Sequence, residues 1–365
     1  MDNILFPTNY NAIVERIEMV NPVRYAKTRN FIDGDISYLS PYIARGVITL
    51  PAIATIILKK YTKFESEKFL QELAWREYFQ RVWQAKGDAI FSDLKQQQTQ
   101  VEHDQIPVAI ANANTGIHAI DEAISNLYQT GYMHNHARMY TAMLACNIAK
   151  AHWLVPAKWM YYHLLDGDLA SNMLSWQWVA GAFSSKKYYA NQENINRYTN
   201  SLQTDTYIDC AYENFPLTTI PNPLRAITDF SLQTTLPTSD EIILEKGNKI
   251  FIYNAYNIDP LWHKDENGYR ILLLEPNLFE RFPVSQKVID FIIEIARKNI
   301  PGIQIVVAPF NTFLAQVNNN PIYFKEHPLS THYKGICEPR DWLCPSVSGY
   351  FPSFFSFWKK IQYKF

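Results

Sequence analysis

Thr130-Gly131-Tyr132-Met133-His134-Asn135-His136-Ala137-Arg138-Met139, continuing through Tyr140 and Leu144 to Ala151, decides how the first half of the chain folds. Met133, Ala137, Tyr140, Leu144, Ile148 and Ala151 recur at steps of three and four, one apolar stripe along a 3.6-residue helix. Upstream, Ile117, Ile120, Ile124, Leu127 and Tyr128 make a second stripe, opened by Thr115-Gly116 and closed at Gly131. Downstream, the chain runs to His152-Trp153-Leu154, and Pro156 suits the first turn of a third helix, where a missing amide costs nothing. The pattern stays helical from Glu65 to Ala182, and the first 64 residues also lean helical around a Ser37–Ser40 loop. Residues 1–205 are therefore read as one all-α domain.

Between Ser201 and Glu241 the sequence turns polar and loses period, with Pro216, Pro221, Pro223 and Pro237, so residues 206–240 read as an irregular linker. Residues 241–365 change character. Lys249 to Tyr253 and Arg270 to Leu274 read as short strands, Val284 to Lys298 as an amphipathic helix and Gln304 to Ala308 as a third strand. The expectation is a mainly α protein: an all-helical domain followed by a small α/β unit. The end, Tyr350 to Phe365, is so rich in Phe and Trp that it must dock on something.

Composition bounds the function. In 365 residues, 34 Lys plus Arg face 35 Asp plus Glu, a net charge of -1, which excludes a histone-like role and requires any nucleic acid to be met by a local patch. One such patch is Ser184 to Arg197, with Lys186, Lys187 and Arg197 against a single Glu193. A hydrophobic fraction of 47% excludes disorder and, with the length, suggests two domains. Four cysteines form no Cys-x-x-Cys pair and no Asn-x-Ser/Thr sequon occurs, so neither a zinc ribbon nor a secreted disulfide scaffold is indicated. The apolar run Val47 to Leu58 holds Pro51 and falls short of a membrane span, and the start Met1 to Pro7 lacks the pattern of a secretion signal. A cytoplasmic, membrane-free and monomeric protein is the expectation.

Three clusters carry chemistry. At 100° per residue, Glu72, Trp75, Arg76, Phe79 and Trp83 fall within about 100° of one another on one helix face. A face mixing carboxylate, guanidinium and indole suggests a lined pocket; a plain Glu72–Arg76 pair beside half-buried tryptophan is the alternative. In Leu164-Leu165-Asp166-Gly167-Asp168, two carboxylates flank a glycine between helices. A calcium loop is rejected, because its fifth and twelfth positions would be Ala170 and Gln177. Acids at a buried junction need a base, and Arg138 is the candidate. Trp153, Trp176 and Trp178 lie on the helices bracketing that loop, able to serve a core, a flavin or a base. His134 and His136 point about 200° apart on a helix, so no metal site is expected.

Taken together these stretches resemble one family. Ser37-Tyr38-Leu39-Ser40-Pro41-Tyr42-Ile43 with Gly46, Phe69 through Phe79, Thr115-Gly116, Thr130 through Met139, and Asp166-Gly167-Asp168 through Asn172 to Trp176-Gln177-Trp178 look like the flavin-binding domain of DNA photolyases and cryptochromes. Their order matches, as does the thirteen-residue step from Trp153 to Asp166, over residues 20–200.

The resemblance implies a bound FAD. Tyr25, Ser37, Leu39 and Ser40 would surround its pyrophosphate, and Arg76 would be a further cofactor contact. Arg138 and Asp166 would make an ion pair over the isoalloxazine, Asp168 would accept from the flavin, and Asn172 would face N5. It also implies a lesion site, with Glu72 bonding a flipped pyrimidine dimer, Trp75 and Trp178 stacking on it, and Asn135 and Met139 lining the pocket. Arg29, His136, Lys187 and Arg197 are the candidate DNA contacts. Trp176 and Trp153 would be the inner members of an electron-transfer chain.

Some positions depart from the family pattern. Ile36 replaces a threonine, His136 an arginine, Tyr132 a tryptophan, and Gln100 stands where the outermost tryptophan is expected, so Trp159 or Tyr161 would have to serve as the outer donor. The usual α/β antenna domain does not precede the flavin-domain motifs; Arg270 to Pro276, the following helix and Gln304 to Val307 faintly resemble part of it. No antenna pigment is assigned. The function implied is light-driven splitting of cyclobutane pyrimidine dimers in UV-damaged DNA by electron transfer from reduced FAD, a deoxyribodipyrimidine photolyase-type lyase. The alternative is a cryptochrome-like blue-light photoreceptor. Repair of the (6-4) photoproduct is disfavoured by Asn135 and Met139, which stand where histidines are expected.

Overall fold

A computed structural model of the chain describes residues 6–217 and 219–365; the secretion-signal reading of Met1 to Pro7 falls largely outside them. The described residues fall into two compact units. Unit one holds Val23–Ile36 and Lys86–Leu232; unit two holds residues 6–22, Ser37–Ala85 and Gln233–Phe365. In chain order the first helices are α1 (Tyr10–Glu18), α2 (Pro22–Thr28), α3 (Ser40–Ala44), α4 (Leu50–Lys60) and α5 (Lys63–Lys86).

Unit one is helical. A two-residue strand β1 (Ile106–Pro107) leads through α6 (Val108–Ala111) to α7 (His118–Thr130), α8 (Asn135–Met143), α9 (Leu154–His163), α10 (Leu169–Ala180) and α11 (Gln192–Thr199). The Thr115-Gly116 opening of α7 works through Asp121, whose carboxylate accepts from the Thr115 amide (2.7 Å), the Thr115 hydroxyl (2.7 Å) and the Gly116 amide (3.1 Å). At the other end Gly131 is left-handed (φ 74°), and a Cβ there would lie 2.6 Å from Leu165 Cγ. Both conformation and space require glycine.

The stripe through Met133 predicts one helix to Ala151, and the structure corrects this. After Met143 the chain takes a π-helical turn, Leu144–Ile148, with the Ala149 amide bonded to Leu144 O at 2.8 Å, and Lys150 then turns left-handed (φ 60°). Here Asn147 spends its amide on Val179 O (3.0 Å) and Tyr188 O (2.8 Å), a tertiary demand that sequence periodicity does not carry.

Unit two joins α1, α3, α4 and most of α5 to an α/β part. A second two-residue strand, β2 (Ile227–Thr228), pairs antiparallel with β1 inside unit one, and the sheet of unit two follows it. That sheet contains β3 (Ile250–Tyr253), β4 (Tyr269–Leu274), β5 (Gln304–Val307), β6 (Ile322–Lys325) and β7 (Ile336–Glu338) in the order β5-β4-β3-β6-β7, all parallel. Central β3, Ile-Phe-Ile-Tyr, is buried throughout, as a parallel strand covered on both faces must be. Ile250 and Ile252 face a core with Ile271, Leu273, Val306, Phe310 and Phe313, while Phe251 on the other side stacks on His263 at 4.5 Å. Helices α12 (Pro276–Arg281) and α13 (Gln286–Asn299) connect β4 to β5, and α14 (Phe310–Leu314) connects β5 to β6.

The end of the polar segment is ordered along β5. Asp240 Oδ2 accepts from the Ile305 amide (2.7 Å) and Ser239 Oγ from the Val307 amide (2.8 Å), which caps a sheet edge that would otherwise invite pairing. The aromatic tail docks as expected. Its helix α15 (Phe354–Ile361) is capped by Ser353 and buries Phe354, Phe357, Trp358 and Ile361, each burial of this kind contributing about 1.5–3 kcal/mol. Among the described residues no helix is long and apolar enough to cross a membrane.

Candidate functional site

In unit one the loop between α9 and α10 carries the densest polar chemistry. Arg138 on α8 donates through Nη2 to both Asp166 oxygens (3.0 and 2.8 Å) and through Nε to Met133 O (2.8 Å), so its guanidinium is fixed at both ends. The Asp166 side chain is 4% exposed and that of Arg138 22%, which makes this a half-desolvated pair with one accessible edge. Gly167 gives the loop its closeness: a Cβ there would come within 3.0 Å of Leu164 O and Tyr161 O. Asp168 caps α10, accepting from the Ser171 amide at 2.7 Å. One turn on, Asn172 donates its amide to Ala157 O (2.9 Å), and its own carbonyl oxygen takes no hydrogen bond among the described residues.

The tryptophans differ in setting. Trp153 is fully buried with its indole N–H on Asp93 (2.7 Å), and Trp176 is buried in α10. Trp178 is 38% exposed, leaning on Tyr188 at 5.8 Å. Trp159 is buried and donates to the Tyr128 hydroxyl (3.1 Å), which in turn donates to Ala111 O. Gln100 accepts from Lys187 (3.2 Å). The sequence reading gives neither Asp93 nor Gln177 a structural role of its own. Gln177, fully buried, ties Ile90 O and the Leu94 amide to α10, and nothing in a lone Gln or Asp signals that.

Around the start of α8, His134 caps the helix by accepting from the His136 amide (3.1 Å). Burial lowers both imidazole pKa values to about 4; His136 and Arg138 add to this at His134, and Arg29 at His136. His136 also packs against Tyr198 (4.8 Å) and Tyr140 (5.2 Å). Asn135 is exposed, and its amide lies 4.0 Å from Met139 Sδ. Arg29 and Tyr25 are partly exposed, with Arg29 Nη1 on Ala26 O (2.8 Å). Arg197 is exposed over the Tyr198 ring, whereas the Lys187 ammonium is spent on Thr99 O (2.7 Å) and Gln100. Among the described residues no cluster of His, Cys, Asp and Glu could hold a metal.

In unit two, the Ser37–Ser40 loop places Tyr38 in the left-handed region (φ 51°), a conformation that non-glycine residues hold only under constraint. Leu39, almost fully buried, caps α3, Ser40 begins it, and Ser37 Oγ accepts from the Leu39 amide at 3.4 Å. On α5, Glu72 pairs with Lys68 at 2.9 Å and Trp75, Arg76 and Phe79 are half-buried, whereas Trp83 of the same face is fully buried. Trp75 stacks flat on Phe354 of α15, with ring centroids 3.7 Å apart and planes 8° from parallel. Sequence reasoning missed the next turn of α5, where buried Glu77 pairs with Arg81 (2.9 Å) and accepts from the Leu343 amide.

The comparisons bear on these residues. Residues 69–213 match the FAD binding domain of DNA photolyase. A deoxyribodipyrimidine photo-lyase of Streptomyces griseus is 32% identical over 146 residues, covering 40% of this chain and 32% of that protein. One from Buchnera aphidicola is 26% identical over 231 residues, covering 54% of this chain and 47% of that protein. The crystal structure of a Synechocystis cryptochrome aligns with a TM-score of 0.49 at 23% identity, covering 54% of this chain and 44% of that one. The chain thus spans between about a third and a half of the length of these relatives. Residues 69–213 are thus a FAD-binding domain of the DNA photolyase/cryptochrome family.

Proposed function

We propose that this chain is a light-driven DNA repair flavoprotein that splits cyclobutane pyrimidine dimers. The observation that carries the reading is the Arg138–Asp166 pair on the loop that leads into α10, the helix that carries Asn172: a fixed cation with one accessible edge, and a neutral amide with an unspent carbonyl oxygen. That donor and acceptor set fits the polar edge of a flavin: Arg138 offers charge, and the Asn172 carbonyl oxygen is an acceptor with no structural bond to keep it.

When bound and reduced, FAD supplies a photoexcited electron donor. The residues of this chain bind and orient. Arg138 supplies positive charge held in place by Asp166, and Asp168 and Asn172 supply acceptors. The hydroxyls of Ser37 and Ser40 and the Leu39 amide have the chemistry for phosphate oxygens, as do Tyr25 and Arg76. Trp178, exposed, offers an aromatic face to a base taken out of the stack, and Glu72, Asn135 and Met139 offer polar and soft contacts. Buried Trp176 and Trp153 have the side chains for relaying electrons to the cofactor.

The test is repair itself: protein reduced chemically, a dimer-containing oligonucleotide, blue or near-UV light and a dark control. Light-dependent recovery of thymines, lost in Trp178→Ala, is expected. A second reading, a photoreceptor that binds FAD without repair, is favoured by one observation: Phe354 already occupies a face of Trp75. Bound flavin with no dimer splitting would select it.

A further inference from the structure

Two stretches of unit two repeat one chemistry. Lys59-Lys60-Tyr61-Thr62-Lys63-Phe64 runs from the last residues of α4 into α5, and Lys359-Lys360-Ile361-Gln362-Tyr363-Lys364-Phe365 runs on from the last turn of α15. Neither stretch holds an acid or an arginine. The fold brings them together, because α15 runs back along α5: Phe354 lies on Trp75, and the Lys63 ammonium at the start of α5 stands 5.6 Å from the Tyr363 ring.

The face they form carries unneutralised charge. Lys60 pairs with Glu18 at 3.8 Å, but among the described residues Lys59, Lys63, Lys359, Lys360 and Lys364 make no ion pair. Glu65, the nearest acid in sequence, is turned back onto the Thr62 amide (2.8 Å) and hydroxyl (2.7 Å). The same face leaves rings in water: Phe64 is 88% exposed, Tyr363 82%, and Phe355, one turn before Lys359 on the same flank of α15, 64%. Docking of α15 uses Phe354, Phe357, Trp358 and Ile361 and needs none of these. A ring standing singly in water is ordinary, whereas three beside five unpaired cations mark a contact surface.

The occupant must be anionic and must accept apolar rings, which a nucleic acid and an anionic bilayer both do. The donor set separates them. Nucleic acid is gripped by arginine forks and by amide and hydroxyl side chains that hold individual phosphates and base edges. Here the cations are lysines alone, point charges on flexible stems, which suit a fluid layer of anionic headgroups into which phenylalanine and tyrosine rings can sink. We propose that this lysine and aromatic face of unit two docks on the surface of an anionic lipid bilayer, with Phe64, Phe355 and Tyr363 entering the headgroup region. Such a contact is peripheral and needs no spanning helix, and it stands or falls separately from the flavin reading.

The experiment floats the full chain with vesicles of phosphatidylserine mixed with phosphatidylcholine, and with vesicles of phosphatidylcholine alone. Binding to the mixed vesicles is expected, tighter by at least about tenfold and weakened by salt. Lys63→Gln/Lys359→Gln/Lys360→Gln should lower the affinity by about a hundredfold, and Phe64→Ser by about tenfold. Lys246→Gln/Lys264→Gln/Lys334→Gln removes the same charge from exposed lysines elsewhere in unit two and should lower it by less than about threefold. Circular dichroism reports whether each variant is folded. No binding to the mixed vesicles, equal binding to both kinds, or the same loss from the two triple variants would each overturn the proposal. So would a folded Lys63→Gln/Lys359→Gln/Lys360→Gln that keeps its vesicle affinity but loses affinity for an undamaged single-stranded oligonucleotide, which would assign the face to nucleic acid.

Discussion

Phe354 lies face to face on Trp75, 3.7 Å away and 8° from parallel, and Tyr78 closes the contact edge-on at 6.0 Å from Phe354. A helix at the carboxyl end of the chain therefore takes the indole face that the family resemblance assigns to a lesion. Either the tail leaves before Trp75 acts, or Trp75 is a docking residue.

Phe354→Ala separates these roles. Truncating a buried phenylalanine costs about 3–5 kcal/mol, and the loss is expected to undock α15 rather than unfold unit two. Quenching of tryptophan fluorescence by acrylamide should rise, and affinity for dimer-containing DNA should rise with it. Greater quenching without a change in affinity would assign Trp75 to docking alone.

A second prediction concerns the pair that sequence reasoning passed over. Glu77 and Arg81 are almost wholly buried, and burial pushes the Glu77 carboxyl above its ordinary pKa while Arg81 pulls it back. Removing only the cation strands a buried carboxylate, so Arg81→Met should cost about 3–5 kcal/mol in chemical denaturation. The double variant Glu77→Gln/Arg81→Met should recover part of that. A double variant no more stable than the single would show that the lost Arg81–Cys344 O bond (3.3 Å), not the stranded charge, is what matters.

What could be read from the sequence follows from which signals are local. The ends of α7 were legible because Thr115-Gly116 and Gly131 act within their own turn, and β3, β4, β5 and α13 because each is a short apolar run or a clean amphipathic stripe. Strands β6 and β7 were not. Ile322–Lys325 follows Asn318-Asn319-Asn320-Pro321, which reads as loop, and Ile336–Glu338 is three residues with an exposed face, ordered only by pairing with β6. The Arg138–Asp166 pair was legible because an acid at a buried junction demands a base. Glu77–Arg81 was not, because an i,i+4 pair on a charged helix reads as solvated until the 343–344 segment covers it.

A third prediction follows from the two histidines of α8. Their folded pKa values, about 4, lie below the ordinary 6.5, so below pH 6.5 the unfolded chain binds more protons than the folded one. Stability is then full above pH 6.5 and falls as pH drops toward 4. His136→Gln should flatten the decline of Tm over that window without lowering Tm at pH 8 by much, since His136 caps nothing. His134→Asn keeps a capping side chain and should flatten it further. An unchanged slope in both variants would mean that carboxylates elsewhere dominate acid unfolding.

The last prediction discriminates among the basic residues proposed for DNA. Lys187 is partly buried, its pKa is lowered by burial, and its ammonium is committed to Thr99 O and Gln100, so it would have to give up those bonds to meet a phosphate. Arg197 is exposed with its guanidinium over Tyr198, and such a group can reach phosphate while keeping its ring contact. Each phosphate neutralised contributes about one unit to the slope of log K against log salt. Arg197→Ala should therefore reduce that slope by about 1 for dimer-containing duplex. Lys187→Ala should leave the slope unchanged and act only through stability, because what it loses is a bond inside the protein. Fluorescence anisotropy across a salt series measures both. A reduced slope in Lys187→Ala with none in Arg197→Ala would reverse the assignment and place the DNA contact on the segment before α11.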